Sequence, residues 1–387
     1  MTLVHDIVVV GGGVAGAAFA AMTARERDVV LVEREAAPRD KVCGEFLSGE
    51  AIHYLAALGV DLPALGAVPI STVTLSRGWT SSSRPLPFPA MSLSRRRLDE
   101  ELLRRARDAG ATVHRGASVR ALAREVGRWR VDLDDGRTLF ARVAVLASGK
   151  HDLRGWARPI GRQNDLIGLK RHFEPAPHIA ERLSGTVELG LFPGGYAGLE
   201  PIEGGRANLC LLIRERAFAA LGRDWRRLLE AISAATPPLG ALLDGSDDLV
   251  GRPLAIARLP YGLVRKRSQD GLWRLGDQAA VIPSLSGEGI SIALHSASLA
   301  AAVMRSGGTA DLFQQRLAAD VRRQIRVATL LSQALVLPAT QACATATARL
   351  FPSLLSMLAT TTRLTPRAIT AAGIRFGPAG RPEIFNA

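Results

Sequence analysis

Gly11, Gly12, Gly13 and Gly16 follow the β-branched apolar run that ends at Val10 and precede a small-residue helix former running from Val14 to Ala21. That order of strand, glycine turn and helix suits a dinucleotide pyrophosphate. Gly11 permits the tight turn, Gly13 lets a phosphate approach the backbone, and Gly16 lets the helix pack close to the strand, while Val14 and Ala15 bring helix N-terminal amides to the anion. A second apolar run, residues 29–33, ends at Glu33 and is followed by Arg34. The Glu33 carboxylate is placed to accept hydrogen bonds from a ribose diol. It repels a 2′-phosphate, so the adenosine is not expected to be that of NADP. This unit alone leaves the dinucleotide unnamed.

A second stretch with chemical content runs through Gly276, Asp277, Pro283, Gly287, Gly289 and Ile290. An acid at a strand end can bind a polyol hydroxyl, and a Pro/Gly loop then opens a helix whose amides point at developing negative charge. The candidates for acid/base work are Glu45, His53, His172, Tyr196, Glu200 and Glu288. Glu45 and Tyr196 are the preferred catalytic pair. Glu45 lies in a Pro/Gly loop with Cys43 and Gly44, and Tyr196 opens a strand after Pro193-Gly194-Gly195, where a phenol can face a ligand. Cys43 is expected beside the cofactor and Cys210 in the core. With Cys343 they are three, far apart and without ligand spacing, which points to neither a disulfide framework nor a metal site.

The elements that must carry these residues follow from periodicity. A short helix is expected from Gly49 to about Leu58, a strand at 70–75, and an amphipathic helix from Ser94 to Gly110 with Leu98, Leu102, Leu103 and Ala106 inward. Residues 112–119 read as a strand returning to the parallel sheet, 129–139 as a hairpin turning at Asp135-Gly136, and 141–147 as a buried strand ending at Ser148-Gly149. From residue 165 the pattern changes to antiparallel strands at 167–173, 186–192, 196–202 and 207–213. A nucleotide-domain strand returns at 272–277, then a helix from Gly289 to Met304, and 311 to about 365 is helical. The fold class is therefore α/β: a doubly wound, Rossmann-like nucleotide domain (1–68, 94–164, 263–310) interrupted by a substrate sheet (69–93, 165–262), with a helical C-terminal segment (311–387).

With 387 residues and 47% hydrophobic content the chain can bury a large core. Its net charge of +13 comes from dispersed arginines, and aromatic residues make up only 5%. No basic stretch interleaved with stacking aromatics occurs, so no nucleic-acid partner is expected. The chain enters its first strand directly, without a basic n-region, and a cytoplasmic protein, monomer or homodimer, is the expectation. Residues 327–348 carry no charge but are broken by Gln333, Pro338, Gln341 and several threonines, and read first as buried helix and second as a weak surface contact with a membrane or a greasy substrate.

The stretch from Gly276 to Ile290, paired with Gly11 to Glu33 at the other end of the chain, resembles the Gly-Asp motif of FAD-dependent oxidoreductases of the para-hydroxybenzoate hydroxylase and geranylgeranyl reductase type. The resemblance implies FAD as cofactor, with Asp277 at the ribityl chain, Pro283 beside the isoalloxazine, and Gly287, Gly289 and Ile290 presenting backbone to the ring edge. It implies contact of Arg95 near the ribityl and phosphate region and of Val119 backbone with adenine. Cys43-Gly44-Glu45 resembles the Cys-Gly loop of geranylgeranyl reductases. Where hydroxylases carry Asp-Gly after the 141–147 strand, this chain has Ser148-Gly149, with Asp152 and Arg154 nearby. The activity implied first is a monooxygenase that uses NAD(P)H and O2 to hydroxylate an apolar, aromatic or polyketide-like small molecule. The alternatives are a reductase of C=C bonds in a lipid or isoprenoid, a halogenase, and a flavin-binding protein without turnover. The halogenase Trp-x-Trp-x-Ile-Pro signature is missing, and no lysine stands out.

Overall fold

A computed structural model of the chain describes residues 3–350, 361–376 and 382–384. The apolar runs of the glycine-turn unit form a parallel core: β1 (Val4–Val10) lies between β2 (Val29–Glu33) and the long strand Thr138–Leu146, and Thr112–Arg115 extends the sheet beyond β2. These central strands are buried on both faces, as continuous Val/Leu runs require. The helix Val14–Thr23 is buried along nearly its whole length. Its small residues permit that. A Cβ on Gly16 would stand 2.0 Å from the Gly11 carbonyl oxygen, and Gly11 itself has a φ of +106°.

Two expectations for this half change. Val119 does not continue a parallel strand; it begins Val119–Glu125, which pairs antiparallel with Arg128–Leu133, and that strand pairs antiparallel with Thr138–Leu146. Gly116, at a φ of +72°, turns the chain between Arg115 and Val119 and so ends the parallel strand. Only Trp273–Arg274 of the stretch 272–277 is strand, because the chain tightens into a 3₁₀ turn at Gly276–Gln278. The Asp135-Gly136 turn stands where expected, between Leu133 and Thr138.

The second sheet has eight strands. Its order is Leu254–Ala257, Leu166–Phe173, Ala207–Arg214, Gly195–Pro201, Thr186–Phe192, Val68–Arg77, Thr80–Ser92, Phe46–Ser48. It is antiparallel except at one joint, where Thr186–Phe192 runs parallel to Val68–Arg77. That pair departs from the expected all-antiparallel sheet, because the two segments meet only after the chain has crossed the nucleotide domain. Thr80–Ser92 is a strand despite its prolines. Pro85, Pro87 and Pro89 point outward from a strand whose outer edge is largely unpaired, while Leu86 and Phe88 point inward. One face of this sheet packs on the helices Trp225–Ala235 and Pro237–Leu243. The other faces the nucleotide domain.

The helix Gly289–Arg305 packs against Val14–Thr23, and the long helix Ala310–Leu335 follows it. Pro338–Leu350 is also helical; the expectation of helix up to about 365 otherwise falls partly on 351–360, outside the described residues. Among the described residues no single helix is long and apolar enough to cross a membrane.

Candidate active site

The two glycine-rich turns, some 260 residues apart in sequence, meet. A Cβ on Gly276 would lie 3.1 Å from Cβ of Ala15, and Leu275 donates its amide to the Leu146 carbonyl at the end of the central strand. Beneath them opens one cavity of about 890 Å³. Of the residues expected at the cofactor, Gly11, Gly13, Val14, Ala15, Glu33, Arg34, Cys43, Gly44, Arg95, Val119, Ser148, Gly149, Gly276, Asp277, Gly287, Gly289 and Ile290 line it. Gly16 and Pro283 do not: Gly16 is pressed against Gly11 and Ala147, and the neighbours of Pro283, Ile282 and Ser284, take the lining positions.

The cavity has the features a dinucleotide needs. A Cβ on Gly13 would point between the Arg95 guanidinium, 3.5 Å away, and the Lys41 ammonium, 3.9 Å away, so the space above this turn is flanked by two cations. Both are held in place by Asp99, which takes a bidentate pair from Arg95 at 2.8 Å each and a bond from Lys41 at 2.7 Å. Burial works against the Asp99 charge, but Arg95 and then Lys41 outweigh it and hold the carboxyl below its usual range. Glu33 sits at the far end and accepts from the Gly12 amide at 2.6 Å and the Glu35 amide at 3.0 Å. At the opposite end, Gly287 and Gly289 bring the N-terminus of the Gly289–Arg305 helix to the cavity wall. A diphosphate fits between the cations, and an electron-rich ring edge fits at that helix end.

Glu45 is the centre of the polar wall. Its side chain is completely buried, and Lys170, 1% exposed, donates to Oε1 at 2.5 Å. His172 Nε2 lies 2.7 Å from Oε2, and the Arg95 amide donates to Oε1 at 2.7 Å. The carboxylate thus caps the N-terminus of the helix Arg95–Asp108 and ties the cofactor loop to the second sheet. Burial alone would raise its pKa; Lys170 first and His172 second reverse this and keep the carboxyl below its usual range. Glu45 is therefore an ionised rivet with no proton to give and little basicity, and its backbone φ of +63° shows how tightly the surroundings dictate its position. Asp40, Glu45 and His172 bring ligand atoms within 4.8 Å of one another, but the Lys170 ammonium already answers the Glu45 charge.

Lys170 is what reading the sequence missed. A signal existed: Lys170 and His172 share strand parity after the apolar run Leu166 to Leu169, two ionisable groups on one face with Arg171 on the other. Cys210, expected in the core, faces the cavity instead, because that parity points at the ligand side of the sheet. Tyr196 is buried at the cavity wall, its hydroxyl beside Ser284 and Ser332, and burial pushes its pKa up to about 12. It is a neutral phenol at physiological pH. Glu288, at the head of the flavin-loop helix, is raised by burial to about 7 against the pull of Arg363. His53 is half-buried near Glu50 and Arg363, and burial lowers its pKa.

Cross-strand register sorts the cavity face of the second sheet into rows. His172, Asn208 and Glu200 form one row; Lys170, Cys210, Gly198, Leu189 and Leu75 form the next. The wall is thus polar at the Cys43-Gly44 loop and becomes apolar away from it. Val73, Leu75, Leu86, Phe88 and Leu189 continue it, and Leu331 and Leu335 of the long helix close it.

The lycopene cyclase protein family model matches residues 6–177. The menaquinone reductase of Mycolicibacterium smegmatis is 32% identical over 327 residues, which cover 79% of this chain and 78% of that protein. Digeranylgeranylglycerophospholipid reductase 2 of Methanopyrus kandleri is 27% identical over 315 residues, 75% and 74% of the two chains. Among solved structures, PqsL of Pseudomonas aeruginosa, described in complex with 2-aminobenzoylacetate, superposes with a TM-score of 0.70 at 21% identity, covering 86% of this chain and 97% of its own.

Proposed function

Since this chain belongs to the FAD-dependent oxidoreductases of the para-hydroxybenzoate hydroxylase and geranylgeranyl reductase type, the family that includes the mycobacterial menaquinone reductase, we propose that it reduces a C=C bond in a polyprenyl lipid of the menaquinone class. The observation that carries this reading is the graded cavity wall. A small aromatic acid needs a polar pocket, whereas the lining here continues from the flavin loops across several strands to Leu331 and Leu335 as apolar side chains, a surface suited to an isoprenoid chain. The menaquinone reductase and the digeranylgeranylglycerophospholipid reductase, by their names, act on such lipids, which supports it further.

When bound, FAD supplies the hydride for the reduction. Lys41 and Arg95 would hold its diphosphate and Glu33 its adenosine ribose, Asp277 would meet the ribityl chain, and the helix end at Gly287 to Ile290 would stabilise charge at the ring edge. The sheet wall excludes water and orients the alkene. NAD(P)H is the proposed electron donor.

The monooxygenase reading, with O2 as co-substrate, remains the rival, and product mass separates the two. FAD-loaded protein, NADH or NADPH, and vesicles containing menaquinone are incubated in air, and the lipid is analysed by mass spectrometry. A gain of two hydrogens that persists after the quinone ring has been reoxidised supports the reductase. A gain of one oxygen overturns it in favour of hydroxylation.

A further inference from the structure

An isolated alkene does not accept a hydride unless a proton reaches its other carbon, so a reductase of such bonds needs an acid on the cavity wall. Glu45 cannot fill that place, being ionised and fully engaged by Lys170, His172 and the Arg95 amide. Glu200 stands in the neighbouring row of the same wall, on the strand Gly195–Pro201, lines the cavity and is 4% exposed. The Asn208 amide approaches its Oε1 at 3.5 Å, and no ion pair to it forms among the described residues. The groups that face it are Glu45 and Cys43 from the cofactor loop, Lys170 from Leu166–Phe173 and Asn208 from Ala207–Arg214. Lys170 is already committed to Glu45. A second carboxylate beside Glu45 in a dry wall has no cation left to hold it ionised, and a buried carboxyl without a partner keeps its proton.

We propose that Glu200 is the proton donor of the reduction, delivering its carboxyl proton to the alkene carbon adjacent to the one that takes the hydride. This rests on the reductase reading above. The balance is simple: the alkene π bond breaks, one new C–H bond is made by the hydride supplied from reduced FAD and the other by the Glu200 proton. FAD is left oxidised, to be reduced again by NAD(P)H, and the Glu200 carboxylate regains a proton from water as product leaves. Two carboxylates side by side thus take opposite roles, one fixed as an anion by its cation and the other kept neutral by burial and by the first.

The test uses the FAD-loaded full chain and its variants Glu200→Gln and Glu200→Asp. Difference infrared spectroscopy at neutral pH shows a protonated-carboxyl stretch in the wild type that is absent in E200Q; an unchanged spectrum overturns the proposal. In anaerobic single-turnover mixing of the dithionite-reduced protein with menaquinone, E200Q slows saturation of the chain by about 100-fold or more, the usual worth of a general acid. FAD affinity and reduction by NAD(P)H stay unchanged in E200Q, and E200D keeps most of the rate. In the wild type the rate falls on the alkaline side as Glu200 ionises, and E200Q lacks that limb. Wild-type protein that saturates no polyprenyl alkene refutes the functional reading. Wild-type protein that does so while E200Q matches its rate refutes the role of Glu200.

Discussion

Replacing Lys170 by Met removes the ammonium 2.5 Å from Glu45 Oε1 and leaves a carboxylate buried between the two sheets. At an effective dielectric of about 20, charges at that separation attract by about 7 kcal/mol, from which the cost of burying the lysine itself must be subtracted. Single removals from buried pairs leave a net loss of about 3–5 kcal/mol, and because His172 and the Arg95 amide still hold Glu45 the lower end, about 3 kcal/mol, is expected here. The pH dependence carries the mechanism. Glu45 has a lowered pKa in the folded protein, so its contribution is present above the unfolded carboxyl range and lost as pH falls through the folded value. K170M raises the Glu45 pKa, so its deficit is largest near neutral pH and shrinks on acidification as the orphaned carboxyl protonates. Urea unfolding of the FAD-free protein followed by tryptophan fluorescence measures this at about pH 7 and about pH 5. Adding Glu45→Gln to K170M should restore about half of the loss, since the charge left without a partner is then gone. A K170M deficit that is the same at both pH values, or that E45Q does not relieve, refutes the account of Glu45 as an ionised rivet.

Gly16→Val places side-chain atoms where a Cβ alone already stands 2.0 Å from the Gly11 oxygen, so the protein should purify without FAD and unfold at lower temperature, read by flavin absorbance and thermal melting. Gly198→Leu should behave differently: a Cβ there meets its nearest atoms at 3.6 Å, so the fold and FAD content persist while the long-chain substrate binds at least about tenfold more weakly, measured as a raised KM with kcat retained. Glu288 has a folded pKa raised to about 7 from 4.5, so its penalty is absent below the unfolded value, grows between the two values and stays in full above 7; the advantage of Glu288→Gln over wild type should grow over that window to about 3 kcal/mol in pH-resolved unfolding.

Local steric rules made much of the nucleotide half legible. Gly11, Gly13, Glu33 and the Gly276-Asp277 turn are encoded by residue types that few other conformations demand, and the structure brings them to one cavity. The Glu45 cluster was not legible as a cluster. Its members come from residues 45, 95, 170 and 172, joined only by cross-sheet packing, and no local pattern reports that Lys170 meets an acid 125 residues away. Cys210 shows the same limit, since strand parity separates two faces without saying which one borders a cavity. Val119 was misassigned because β-propensity does not distinguish a parallel continuation from the antiparallel meander that a glycine turn starts.

The most direct measurement mixes fully reduced, FAD-loaded protein with one equivalent of menaquinone in detergent, without oxygen, and follows flavin absorbance together with the mass of the polyprenyl chain, read from lipid fragments after air has reoxidised the quinone ring. The account predicts that oxidised flavin returns in step with a lipid that has gained two hydrogens in its polyprenyl chain. A polyprenyl chain that stays unaltered, whether or not the flavin is reoxidised, or a purified chain that takes up no flavin at all, would contradict it.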